Sequence, residues 1–233
     1  MDEKQQIASS DDEQFEDANE KIINDIIDKC EANDLIDDES QRDFEKDQTE
    51  EEREEARLLA VELKDKGNVE FRNGNFEISS EIYTQALRKC PVSCSTERSI
   101  LYGNRSLAKV KLGLKSSAID DCTKSIEFNP KYVKVLLRRA ALYEETNKLD
   151  ESLDDYKKIL ELDPGNHEAR SAQIRLPPLI NERNEKMKEE MIEKLKDLGN
   201  LVLRPFGLST KNFEMKQDPS TGSYSINFNQ NPK

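Results

Sequence analysis

Three prolines set the frame of this chain. Pro91, Pro130 and Pro164 close segments of the same character, LRKCP, IEFNP and LELDP, at separations of 39 and 34 residues. Self-similarity at such a period constrains the fold strongly, because a unit of this length is one supersecondary element that cannot bury its apolar face alone. Counting back from each proline fixes the register. Gly67, Ser106 and Ala140 lie 24 positions back, and Gly74, Gly113 and Asn147 lie 17 back. Ser79, Ala118 and Ser152 lie 12 back, and Tyr83, Cys122 and Tyr156 lie 8 back. Small residues therefore recur where two helices would cross, and larger ones where a gap must be filled.

This register resembles the tetratricopeptide repeat, a helix-turn-helix unit with small residues at the crossing of helices A and B and a proline after helix B. The repeats are expected at about 60–93, 99–132 and 133–166, with five extra residues in CPVSCSTE as a loop insertion. In repeat one, Leu59, Leu63, Gly67 and Phe71 follow helical spacing along a helix A placed at about Ala60 to Arg72. After Asn73-Gly74-Asn75, residues Phe76, Ile78, Ile82, Tyr83, Ala86 and Leu87 give helix B a wide apolar face. Three such pairs are about the fewest that stack into a continuous core. The expected fold is all-α, a repeat solenoid over 56–166.

Beyond Pro164, the segment GNHEARSAQIRL predicts a capping helix ended by Pro177-Pro178, since proline removes amide donors and disfavours helix before it. A charged stretch from Leu179 to Leu198, with Ile180, Met187, Met191, Ile192 and Leu195 as a sparse stripe, predicts a further helix. It either extends the solenoid or projects from it. Residues 167–198 thus form capping and extension helices. In 199–233 the period changes: NFEMKQ and SYSINF alternate, and DPSTG between them is turn chemistry, which predicts a β-hairpin. An isolated hairpin is marginal in water, so it either docks or stays mobile.

Charge separates the N-terminus from this body. The chain has 233 residues, a formal charge of -13, 34% hydrophobic residues and no Trp. Residues 1–55 carry 23 acids and 6 bases, a net of -17, which leaves +4 for residues 56–233. The arm 1–55 is expected to be mostly disordered, because its composition cannot bury enough apolar surface. Within it, Phe15, Ala18, Ile22, Ile26 and Cys30 share one helical stripe that could order on a partner. The arm's acids are also candidates to occupy a basic groove on the body, and Ser9, Ser10 and Thr49 precede acidic runs that suit acid-directed kinases.

The acidity argues against unspecific nucleic-acid binding, which needs a basic footprint. No apolar run approaches a bilayer span, and the N-terminus lacks the pattern of a signal peptide. The expectation is a cytoplasmic monomer with no membrane insertion, whose Cys30, Cys90, Cys94 and Cys122 are thiols. With one histidine, His167, no glycine-rich phosphate loop, no clustered metal ligands and no nucleophile beside a base, neither an enzyme nor a cofactor is expected.

The candidate site lies where helix A residues would line a groove. Repeat one offers Lys64 and Asn68 on one helix face, repeat two Asn104, and repeat three Lys134 and Arg138. Like charges four apart slightly destabilise a helix, which suggests that something negative lies over them. Any one of these residues would suit an ordinary solvated helix face. In LKDKGN, YGNRS and VKVLLRR, however, the five together match residue by residue the two-carboxylate clamp of chaperone-binding tetratricopeptide domains.

That resemblance implies a non-enzymatic adaptor or co-chaperone that binds Glu-Glu-Val-Asp C-termini of the 90-kDa and 70-kDa heat-shock chaperones. Lys64, Asn68 and Asn104 would hold the terminal carboxylate and the aspartate side chain, with help from Lys134. Arg138 would contact the peptide further from its end. The wording LKDLGNLVLRPFGLS resembles the C-terminal segment of a small cytosolic adaptor of the same repeat class. It implies the alternative of a signalling scaffold for G-protein α subunits or Ras-type GTPases.

Overall fold

The computed structural model describes residues 36–217 and 223–230. The Phe15 to Cys30 stripe, Ser9, Ser10 and the hairpin turn lie outside the described residues. The described helices are α1 (Asp38–Lys46), α2 (Glu50–Arg72), α3 (Phe76–Lys89), α4 (Ser95–Lys111), α5 (Lys115–Phe128), α6 (Val133–Glu145), α7 (Leu149–Leu162) and α8 (His167–Leu203). Two compact units divide the chain at Ile174 and Arg175.

In the first unit, α2–α3, α4–α5 and α6–α7 are the three helix-turn-helix repeats, each pair packed in itself and against the next. The turn between the helices of each pair rests on one left-handed residue. Gly74, Gly113 and Asn147 have φ of 85°, 78° and 59°, a region in which a Cβ is costly and which Gly, and after it Asn, adopt readily. Where the helices cross, a hydroxyl binds the partner backbone. Ser79 Oγ donates to the Gly67 carbonyl and Ser152 Oγ to that of Ala140, both at 2.9 Å. In the middle repeat Ser99 and Ser125 do this reciprocally, each hydroxyl donating to the other's carbonyl.

The core runs through the stack: Tyr83, Ala86, Leu87, Leu101, Tyr102 and Ala108 are buried in one cluster, and Leu136, Ala140, Tyr156 and Ile159 are buried further along. Ile78, assigned by its spacing to the apolar face of α3, is half exposed.

The boundary of the arm needs correction. Residues 38–46 and 50–55 are helical, so folded structure reaches well into the segment read as disordered. Asp37 caps α1 by accepting from the Glu39 and Ser40 amides, and Thr49 and Glu52 form a reciprocal capping box at the start of α2. Composition missed this because α1 is held by polar contacts. Asp38 pairs with the fully buried Arg98, whose Nη1 also donates to Gln41 Oε1 and to the carbonyls of Leu87 and Cys90. Glu45 accepts the Val92 amide at 2.8 Å. Asp38 and Glu45 therefore serve the junction of repeats one and two.

A second correction concerns the prolines. Pro177 and Pro178 lie inside α8 and do not end it. Each removes one amide donor, which orphans the carbonyls of Gln173 and Ile174 four residues earlier. Both residues are exposed, so water can satisfy those carbonyls. The boundary between the two units falls just before the pair.

The second unit comprises the rest of α8, two short 3₁₀ turns at Arg204–Phe206 and Thr210–Asn212, and an antiparallel hairpin of β1 (Phe213–Gln217) and β2 (Tyr224–Phe228). Phe213 pairs with Phe228 and Gln217 with Tyr224. The Phe213 and Phe228 rings meet at 5.4 Å. Among the described residues, no helix is long and apolar enough to cross a membrane.

Candidate functional site

The five candidates stand on the first helix of each repeat. Lys64 and Asn68 are one turn apart on α2, Asn104 is on α4, and Lys134 and Arg138 are one turn apart on α6. Helical spacing puts each pair on one face. Hydrogen bonds then tie the three helices together at these positions. Asn104 Nδ2 donates to Asn68 Oδ1 at 3.1 Å. Arg138 Nη1 donates to the carbonyl of Gly103, the residue before Asn104, and to Ser106 Oγ at 2.8 Å.

Close approach of α4 and α6 depends on Gly103, since a Cβ there would lie 3.1 Å from a Val135 methyl. Arg138 thus has one terminal nitrogen committed to the scaffold, where the sequence reading gave it only a ligand role.

The cations differ in their surroundings. Lys64 is half buried, and its ammonium lies 3.6 Å from the exposed Asp65 carboxylate, a loose contact in high dielectric. Lys134 is exposed, and among the described residues no carboxylate pairs with it. Asn68 has an internal partner besides Asn104: the Tyr83 hydroxyl on α3 donates to the same Oδ1 at 2.7 Å. Two donors fill both lone pairs of that oxygen and leave the Asn68 NH₂ as the group available for a ligand. Cations and amide donors spread over three adjacent helices can replace water around a group that carries two carboxylates.

The sequence reading missed a second polar set with the same repeat. Arg105 of α4 donates through Nε and Nη2 to both oxygens of Asp121 on α5, and through Nη1 to Thr84 on α3. Arg139 makes the same contacts with Asp155 and Thr123. Arg105 and Arg139 are 34 apart, as are Asp121 and Asp155, so the period itself was the available signal. In repeat one the matching positions hold Lys66 and Ile82, and Lys66 pairs along its own helix with Glu62 instead. These arginines join each repeat to the preceding one, and among the described residues no repeat precedes the first.

The cysteines are poor ligands or nucleophiles. Burial pushes the Cys90 thiol up to about 12 and raises those of Cys94 and Cys122. All three are free thiols, and Cys30 lies outside the described residues.

Comparison with known proteins agrees with this architecture. Residues 133–166 match the tetratricopeptide repeat family model, and the fold is a tetratricopeptide repeat solenoid. Sperm-associated antigen 1 of Mus musculus is 36% identical over 152 residues, 63% of this chain and 16% of that protein. The mitochondrial import receptor subunit TOM70 of Homo sapiens is 38% identical over 100 residues, 43% of this chain and 16% of the receptor. The chain thus spans about a sixth of the length of these relatives. Among solved structures, the first tetratricopeptide domain of Spaghetti (RPAP3), bound to the HSP90 peptide SRMEEVD, superposes with a TM-score of 0.48. It is 30% identical and covers 54% of this chain and 95% of that one.

Proposed function

We propose that the chain is a non-enzymatic adaptor acting in the cytoplasm, which binds the Glu-Glu-Val-Asp C-termini of 90-kDa and 70-kDa heat-shock chaperones. Lys64, Asn68, Asn104, Lys134 and Arg138 form its two-carboxylate clamp. The observation that carries this reading is the Asn104 to Asn68 hydrogen bond, which joins two amides 36 residues apart in sequence. The side chains that match the clamp thereby come from adjacent helices.

A chain-end aspartate offers two carboxylates a few ångströms apart. The asparagines donate to them without mutual repulsion, and the lysines supply charge. The test is capture of purified chaperone by the full chain. Capture by wild type, and its loss both on Lys134→Ala and on deleting the chaperone's last residues, is the expected result. Capture that survives both changes contradicts the reading.

A second reading rests on a different surface. Leu201, Val202 and Phe206, at the start of 199–233, are all more than half exposed, and the clamp leaves them without a role. The segment around them resembles the C-terminus of tetratricopeptide repeat protein 1, which implies a scaffold for G-protein α subunits or Ras-type GTPases. Retained capture of such a GTPase by Lys134→Ala, and loss on deleting 199–233, is the expected pattern. Equal capture with and without 199–233 contradicts it.

A further inference from the structure

We propose that Tyr83 is a positioning residue for the clamp: its hydroxyl fixes the Asn68 side-chain amide with the oxygen inward, so that the NH₂ is presented to the peptide carboxylate. The proposal rests on the clamp reading above.

An asparagine amide has two faces that differ only in which atom donates, and its orientation is set by the hydrogen-bond partners around it. Asn68 and Asn104 alone do not decide the matter. Turning both amides over together would keep one N–H···O bond between them, now running from Asn68 to Asn104. The third partner breaks this symmetry. Tyr83 is buried and its hydroxyl lies 2.7 Å from Asn68 Oδ1. Burial also raises its pKa and so suppresses its ionisation, which keeps the hydroxyl a donor. With both amides turned, that hydroxyl proton would face an NH₂ group, and a buried donor would lose its acceptor.

The packing that brings Tyr83 to Asn68 is specific to the first repeat. The ring packs closely against the backbone of the residue just before Asn68: a Cβ at Gly67 would stand 2.6 Å from the ring carbon Cε1. The corresponding positions in the other repeats hold Ser106 and Ala140. There the residue that matches Tyr83 is Cys122, which has no such reach, or Tyr156, whose hydroxyl donates to Glu144 instead. Only repeat one therefore combines a glycine, a tyrosine above it and an asparagine next in sequence.

Tyr83→Phe removes the hydroxyl and keeps the ring on Gly67. The full chain, wild type and variant, is titrated with a pentapeptide ending in Glu-Glu-Val-Asp, as free acid and as C-terminal amide, and the Asn68 side-chain amide is followed by ¹⁵N NMR. The expected result is about a fivefold loss of affinity for the acid, less than about twofold change for the amide, and a displaced or broadened Asn68 NH₂ signal. Asn68→Asp serves as a second variant, because it keeps an oxygen for Tyr83 and Asn104 and puts a charged acceptor in place of the donor. It should melt near the wild-type temperature and lose preference for the acid. Equal loss for acid and amide in Tyr83→Phe, or an unmoved Asn68 signal, overturns the proposal. If wild type does not prefer the acid, the clamp reading itself fails, and the NMR signal still decides whether Tyr83 orients the amide.

Discussion

Arg105 forks onto Asp121, with Nε and Nη2 at 2.8 and 2.6 Å from its two oxygens, in a place where both side chains are almost wholly buried. Lys109 adds a second cation at 2.9 Å. Removing the carboxylate charge would take the Asp121 counter-charge from two buried cations, which costs about 3–5 kcal/mol. Asp121→Asn should therefore lower the urea midpoint sharply. Asp155→Asn should cost less, because its partner Arg139 is the more exposed of the two arginines.

Of the two carboxylates by which the short helix α1 holds the repeats, Asp38 meets a buried charge and Glu45 meets the Val92 amide. Asp38 is the carboxylate partner of Arg98, whose side chain is fully buried. Asp38→Ala should destabilise the whole repeat unit by about 3 kcal/mol in chemical denaturation. Lys124 approaches the same carboxylate only at 3.9 Å and is half exposed, so Lys124→Ala should change stability by less than about 1 kcal/mol.

Gly67 gives a steric prediction. Its missing Cβ is the space that the Tyr83 ring occupies, and overpacking of this kind costs about 1–3 kcal/mol. Gly67→Ala should lower the thermal midpoint, whereas Gly165→Ala, with a flexible Asp163 side-chain oxygen as its one close neighbour at 3.3 Å, should scarcely move it.

The cysteines predict a pH response. Burial raises Cys90 from an ordinary 9.0 to about 12, so the folded state prefers the neutral thiol. The sign follows from linkage: this stabilisation is complete below pH 9, declines as pH rises, and is gone beyond about pH 12. Cys90 should resist a thiolate-selective disulfide reagent at pH 8 and react promptly in denaturant. Equal labelling rates in both states would contradict the burial assignment.

Much of this molecule was legible in its period. The three repeats, the left-handed turn positions Gly74, Gly113 and Asn147, and the small residues at the crossings all follow from counting back from Pro91, Pro130 and Pro164. The hairpin followed from alternation, since Phe213 and Phe228 face each other across it. Other features were hidden for physical reasons. The packing of α1 depends on Asp38 and Glu45 meeting Arg98 and the Val92 amide, contacts that span about 50 residues and leave no local pattern. Pro177 and Pro178 read as a helix end, but α8 runs through them where exposed carbonyls can turn to water. Within the candidate site, residue types and helix faces were readable. The tie from Tyr83 to Asn68 and the anchoring of Arg138 on Gly103 depend on distances that only a folded chain defines.

The central claim is that the residues from Lys64 to Arg138 recognise a terminal carboxylate. Calorimetric titration of the full chain with a pentapeptide ending in Glu-Glu-Val-Asp, as free acid and as C-terminal amide, tests it most directly. Loss of one charge-assisted contact is worth about 1.5–3 kcal/mol, so the account predicts that the acid binds at least about tenfold more tightly than the amide. It also predicts that Lys134→Ala removes most of that difference. Equal affinity of wild type for acid and amide would contradict it.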